Sequence, residues 1–206
     1  MPRESAHFYT DPLSEFTDKL VNLFNRDFKS GDHGTPEDQF RRYLALCGIA
    51  DLNYASILDA GCGVGLFYDY LEESLDSFQY IGVDVSPRAI RVAIEHQPTL
   101  DFRECDLLET TLEEPVDFVV ANGLLYVKFG EEDMIAYRNQ LLIHLFSLCS
   151  KGLAINFLST RYAQKDEANY LYFDPGETLN ACLKVTPNVI LRHDYSPSEF
   201  TLYLYK

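Results

Sequence analysis

Leu13, Phe16, Leu20, Leu23 and Phe24 recur at three- and four-residue spacing, which predicts a helix with one apolar stripe. Two glycines between Lys29 and Gly34 break it. Thr35 then reads as an N-cap, Pro36 as the first helical position and Asp38 as the acidic partner. The second helix presents Phe40, Tyr43, Leu44 and Cys47 on one face and ends near Gly48.

From there short apolar runs alternate with helical patterns. Strands are predicted at 55–59, 79–84, 100–105, 117–121 and 153–157. Helices are predicted over 66–75, from Ser86-Pro87 to about His96, and along Met134, Tyr137, Leu141, Leu145 and Leu148, the last stopping at Gly152. Asp174-Pro175 opens another short helix, and runs at 188–194 and 200–205 close the chain as a hairpin. The alternation predicts an α/β protein: a mostly parallel sheet with helices on both faces and one antiparallel strand from the hairpin. No linker separates the first ~50 residues, which read as a helical cap on a core over 51–206, so 1–206 is expected to be one domain.

Composition narrows the partners. Of 206 residues, 32 are Asp or Glu and 17 Lys or Arg, giving a net charge of −15. Such a surface repels phosphate backbones and anionic membranes, so neither nucleic acid nor membrane is expected as a partner. No apolar run approaches the ~18 residues that span a bilayer, and the start MPRESAHFYT lacks a secretory pattern. Five cysteines, odd in number and without metal-knuckle spacing, read as reduced thiols in a cytoplasmic protein. Nothing in the sequence sets an oligomeric state.

The richest segment is Ile57-Leu-Asp-Ala-Gly-Cys-Gly-Val-Gly-Leu66, a strand running through glycines into a helix. Gly61, Gly63 and Gly65 allow a sharp turn and close approach of backbone to a ligand, and Asp59 stands at the strand's end. A tight structural turn is the plain alternative. The dinucleotide fingerprint G-x-G-x-x-G needs glycine where Leu66 stands, which disfavours pyrophosphate recognition. The second strand ends at Asp84, placed to accept both hydroxyls of a ribose or merely to cap a helix. Cys105-Asp106-Leu107 follows the third strand, where a carboxylate suits an exocyclic amine.

Together LDAGCGVG (58–65), IGVDVSPRAI (81–90), FRECDLLE (102–109) and DFVVANGLLY (117–126) resemble the class I S-adenosylmethionine-dependent methyltransferases. The resemblance implies a Rossmann-like seven-stranded sheet whose last strand is antiparallel beside the fifth. It implies S-adenosylmethionine as methyl donor and S-adenosylhomocysteine as product. Carried over, Asp59, Gly61, Cys62, Gly63 and Gly65 hold the methionine part. Asp84 with Val85 takes the ribose, Asp106 with Leu107 the adenine, and Asn122 borders both donor and acceptor. The C-terminal segments YFDPGETLNACL and ILRHDYSPSEFTLYLYK resemble small bacterial members of undefined substrate, in which an Arg-aromatic pair precedes the glycine turn. Arg42-Tyr43 matches it, making Arg42 a candidate for the donor carboxylate; a solvent-facing Arg is the alternative.

Methyl transfer from an activated sulfonium asks mainly for alignment and water exclusion, and for a base only if the acceptor must lose a proton. The acceptor is expected at Asn122-Gly-Leu-Leu-Tyr126, with Asn122, Tyr126 and the loop residue His33 as catalytic candidates. The absence of prolines after Asn122 argues against nucleobase amino groups. Amides at Asn122 and Asn156, where metal-assisted relatives carry carboxylates, argue against a metal site. His96, His144 and His193 read as structural. Phe157, Tyr162, Tyr170, Tyr172 and Phe173, with Phe8-Tyr9, read equally as an aromatic lid and as core packing. The expected reaction is methylation of an O or N of a small biosynthetic intermediate. A silent donor-binding subunit and a nicotinamide-dependent oxidoreductase are the rivals.

Overall fold

The computed structural model describes residues 36–126, 133–162, 166–168 and 170–206. The predicted helix around 13–24, the Thr35 cap and His33 lie outside them. In order, the elements are α1 (Pro36–Cys47), β1 (Ser56–Ala60), α2 (Leu66–Ser74), β2 (Gln79–Asp84), α3 (Pro87–His96), β3 (Asp101–Glu104) and β4 (Val116–Ala121). There follow α4 (Met134–Ser147), β5 (Cys149–Ser159), β6 (Tyr172–Phe173), α5 (Pro175–Cys182), β7 (Val189–Arg192) and β8 (Glu199–Tyr205).

The sheet runs β3-β2-β1-β4-β5-β8-β7, with β8 antiparallel to both β5 and β7 and the other pairs parallel. This is the mostly parallel sheet with an antiparallel strand that the alternating pattern and closing hairpin predict, in the Rossmann-like order that the resemblance implies. Successive strand residues point to opposite faces, and both faces are covered. Ile57, Val120 and Ala154 meet Tyr43 and Leu46 of α1, Phe67 and Leu71 of α2, and Ile90 of α3. Leu58, Val119 and Leu153 meet Leu141, Leu142 and Leu145 of α4. Burial on both sides explains why β1 and β4 read as continuous apolar runs.

Three local expectations change. Leu44 is 43% exposed, whereas Gln39 and Arg42 are buried with Tyr43 and Leu46. The buried positions of α1 are thus 39, 42, 43, 45 and 46, and two of them are polar because the core supplies them with partners. The fifth strand starts at Cys149 rather than 153, directly after the cap Leu148, because Cys149 pairs with Val116. The aromatic segment adds an eighth, two-residue strand, β6, parallel to the end of β5. In it Phe173 packs edge-on to Phe157, which also stacks on Phe200. Phe157 and Phe173 are therefore core, while Tyr162, Tyr170 and Tyr172 are half-buried.

Candidate active site at the carboxyl ends of the central strands

After β1 the chain moves outward through β2 and β3, then returns to the other side of β1 as β4. The crevice between diverging loops at such a switch point is where open α/β sheets take ligands. Here the loops after β1, β2, β3 and β4 bring together most of the residues singled out in the sequence.

The glycine turn is docked by Gly61 and Cys62, whose N–H groups both donate to the Val83 carbonyl at 2.8 and 3.0 Å. Gly65, at φ 88°, opens α2, and a Cβ there would lie 3.0 Å from Phe102 Cζ. Gly63 has φ 54°, yet a Cβ would meet nothing within 4 Å. Gly65 is therefore demanded by packing as well as conformation, whereas the face of Gly63 is open to the crevice.

Asp84 at the end of β2 organises the turn. Its Oδ2 accepts from Gly63 N at 2.9 Å and its Oδ1 from Ser86 N at 2.8 Å. A carboxylate has about four acceptor sites, so each oxygen retains acceptor capacity after these bonds. Ser86 meanwhile caps α3 through Ala89 N.

Two adjoining hollows share Gly61. One is lined by Gln39, Tyr43, Asp59, Gly61, Cys62, Gly63 and Asn122, among others. The second is lined by Gly61, Asp84, Val85, Asp106, Leu107, Leu124 and Tyr137. Asp106 is exposed, its Oδ1 accepting from Leu108 N at 2.8 Å, while Leu107 is buried beneath it.

Asp59 is 1% exposed and accepts a 2.7 Å bond from the Tyr80 hydroxyl. Burial pushes its carboxyl up to about 7; the Tyr80 bond opposes that and the nearby Asp84 charge adds to it. No cation takes part in its interactions among the described residues. A buried carboxylate of this kind suits a cationic ligand. Cys62 also lines the hollow, but burial raises its thiol far above the ordinary value and keeps it protonated.

Arg42 neither faces solvent nor lines the crevice. It is 2% exposed, donates to Glu199 Oε1 at 2.9 Å and to Gln39 Oε1, and stands 5.9 Å from the Tyr126 ring centroid. Gln39 in turn donates to the Tyr43 hydroxyl at 2.6 Å, so Arg42 reaches the hollow through Gln39. Tyr126 is 2% exposed, and its hydroxyl is buried beside Glu199. Burial, with the Glu199 charge nearby, holds that hydroxyl protonated well above the usual range.

Asn122 lines the first hollow, and its Oδ1 accepts from Asn156 Nδ2 at 2.9 Å. Asn156, fully buried on β5, accepts from Gly123 N at 2.7 Å. Of the histidines, His144 bonds the Thr110 carbonyl, His96 meets Asp69, and the His193 ring packs edge-on to Phe200. Sequence reasoning missed the parts played by Gln39, Glu199 and the Asn156–Asn122 pair. The one available signal was the stripe 39, 42, 43, 46 at helical spacing, hidden because two of its members are polar.

The family model described as a methyltransferase domain matches residues 57–145. The methyltransferase homologue Rv1506c of Mycobacterium tuberculosis is 30% identical over 158 residues, 73% of this chain and 93% of that one. Among solved structures, magnesium protoporphyrin IX methyltransferase from Synechocystis PCC 6803, crystallised with S-adenosylmethionine, superposes with a TM-score of 0.61 at 17% identity, covering 98% of this chain and all of that one. The N-methyltransferase NodS of Bradyrhizobium japonicum, crystallised with S-adenosylhomocysteine, gives 0.62 at 14% identity, covering 93% and 98%. With a relative 30% identical over 73% of the chain, a methyltransferase-domain match from β1 into α4 and the same fold in donor-bound structures, the chain belongs to the class I S-adenosylmethionine-dependent methyltransferases.

Proposed function

We propose that the chain binds S-adenosylmethionine across the two hollows and transfers its methyl group to an oxygen or nitrogen of a small organic acceptor. The observation that carries this reading is the Gly63–Asp84–Ser86 clamp. It holds a carboxylate with acceptor capacity left between a glycine turn that leaves open space and a second hollow edged by Asp106 and Leu107. When bound, the donor supplies a methyl group already activated on a sulfonium.

The residues then do the following. Asp59 faces the cationic end of the donor. Gly61, Cys62 and Gly63 bring backbone against its amino-acid arm, and Gly65 holds the turn in that shape. Asp84 and Val85 hold the ribose, and Asp106 with Leu107 the adenine. Asn122, in the hollow that takes the amino-acid arm, borders both donor and acceptor. Tyr126, buried with its hydroxyl kept protonated, shapes the wall behind it and is not a proton-accepting base at neutral pH. His33 remains the base candidate of the N-terminal segment.

The charge of −15 favours a small acceptor over nucleic acid. No described helix is long and apolar enough to cross a membrane. All five cysteines are unpaired, which supports the reading of a reducing, cytoplasmic setting.

Calorimetry with S-adenosylhomocysteine and, separately, NAD tests the donor; binding of NAD alone would reverse the assignment. Turnover of methyl-labelled S-adenosylmethionine against pools of small hydroxy and amino compounds tests the acceptor class. Labelling confined to nucleic acid or protein would sink that part.

A further inference from the structure

The amide pair between β4 and β5 has a polarity that can be read without ambiguity. Gly123 N–H can only donate, so the Asn156 atom 2.7 Å from it is the carbonyl oxygen. The other end of the Asn156 amide is then Nδ2, which can only donate, so the Asn122 atom 2.9 Å away is its oxygen. What remains of the Asn122 amide is its NH2 group. Asn122 belongs to the lining of the hollow that also holds Asp59 and the glycine turn. Asn156 is fully buried and lines neither hollow.

One wall of that hollow thus carries a buried carboxylate suited to an ammonium, and another carries an amide whose oxygen is taken by Asn156 and whose NH2 group is the part left to bind. Asp59 and Asn122 sit on the ends of neighbouring strands, β1 and β4. Donors beside an acceptor match the two ends of an amino-acid zwitterion. Arg42, the cation the resemblance offered for the carboxylate, is engaged inside the protein by Glu199 and Gln39. We propose that Asn156 is a positioning residue: it turns the Asn122 amide so that its Nδ2 protons hold the carboxylate of the donor's amino-acid arm. This rests on the S-adenosylmethionine reading of the crevice.

Asn156→Asp reverses the polarity while preserving the shape. Gly123 N still finds an oxygen, but once the carboxyl is ionised its second oxygen accepts, so Asn122 flips and shows its carbonyl to the crevice; the measurement is therefore made at alkaline pH. Calorimetry on the full chain with two probes reads the effect: S-adenosylhomocysteine and its decarboxylated analogue. Loss of a hydrogen bond to a charged group is worth roughly ten- to a hundredfold in affinity. The expected result is a loss of about that size for S-adenosylhomocysteine, and less than about threefold for the analogue lacking the carboxylate. Asn122→Asp keeps the bond from Asn156 and turns the outward group into an acceptor. It gives the same split if Asn156→Asp does not fold.

Equal losses for both probes, or none for either, in a variant with a cooperative melt overturn the proposal. Failure of the parent chain to bind S-adenosylhomocysteine overturns the donor reading first and the proposal with it. The two failures are therefore separable.

Discussion

Asp59→Asn should make the ligand-free protein more stable and its binding site worse. The Asp59 carboxyl, ordinarily near 3.8, is pushed up to about 7, chiefly because it is buried. Between those values the folded chain holds a proton that the unfolded chain has lost. The unfolded state thus binds fewer protons, and stability falls as pH rises through this window. Each pH unit is worth about 1.4 kcal/mol, so the penalty reaches on the order of 4 kcal/mol by pH 8 and is less than half that at pH 5. Asparagine carries no charge, and its Oδ1 can still accept the Tyr80 hydroxyl that Asp59 accepts at 2.7 Å. Urea unfolding of parent and variant at pH 5, 6.5 and 8 measures the difference. The advantage of the variant should widen by about 2–3 kcal/mol across that range, or very roughly 5–10 °C in melting temperature for a domain of this size. Affinity for S-adenosylhomocysteine should fall at the same time. Parallel pH profiles, or a variant less stable than the parent at pH 8, would refute the claim that Asp59 is a buried charge awaiting a cation.

The same carboxylate makes donor binding pH-dependent. Ligands carrying the ammonium should bind the parent more tightly as pH rises from 6 to 8, by up to about tenfold per unit below 7, and calorimetry of Asp59→Asn should show the slope flattened. Gly63→Ala and Gly65→Ala should separate site from scaffold. Both demand left-handed backbone at about 1–2 kcal/mol, but only Gly65→Ala also drives a Cβ to within 3.0 Å of Phe102, so it should lose more melting temperature. Gly63→Ala should instead lose nucleoside affinity with a smaller change in melting. Removing one partner of the buried Arg42–Glu199 pair, as in Arg42→Ala, should cost about 3–5 kcal/mol in denaturant unfolding. Replacing both by leucine should recover most of that, and failure to recover would mean that the pair does more than neutralise itself.

The layout was legible from one dimension because its signals are local. A strand buried on both faces reads as an apolar run, a helix against a sheet reads as a stripe, and a turn needing positive φ reads as glycine. Hence β1 through Gly65, β2 through Asp84 and β3 through Asp106 could be placed in order from residues alone. The start of β5 at Cys149 was not legible, because helix α4 passes into it through a single capping residue and only pairing with Val116 marks the change.

What the chain's letters determined by themselves is the α/β alternation, the glycine turn with its aspartates, and the acidic surface. Folding alone decided the company each polar group keeps. Arg42 pairs with Glu199, 157 positions away, and Asn122 takes its orientation from Asn156, 34 positions away. No spacing rule spans such separations. Hydrogen bonds act over about 3 Å, and whether two side chains come that close depends on how the strands and helices between them pack.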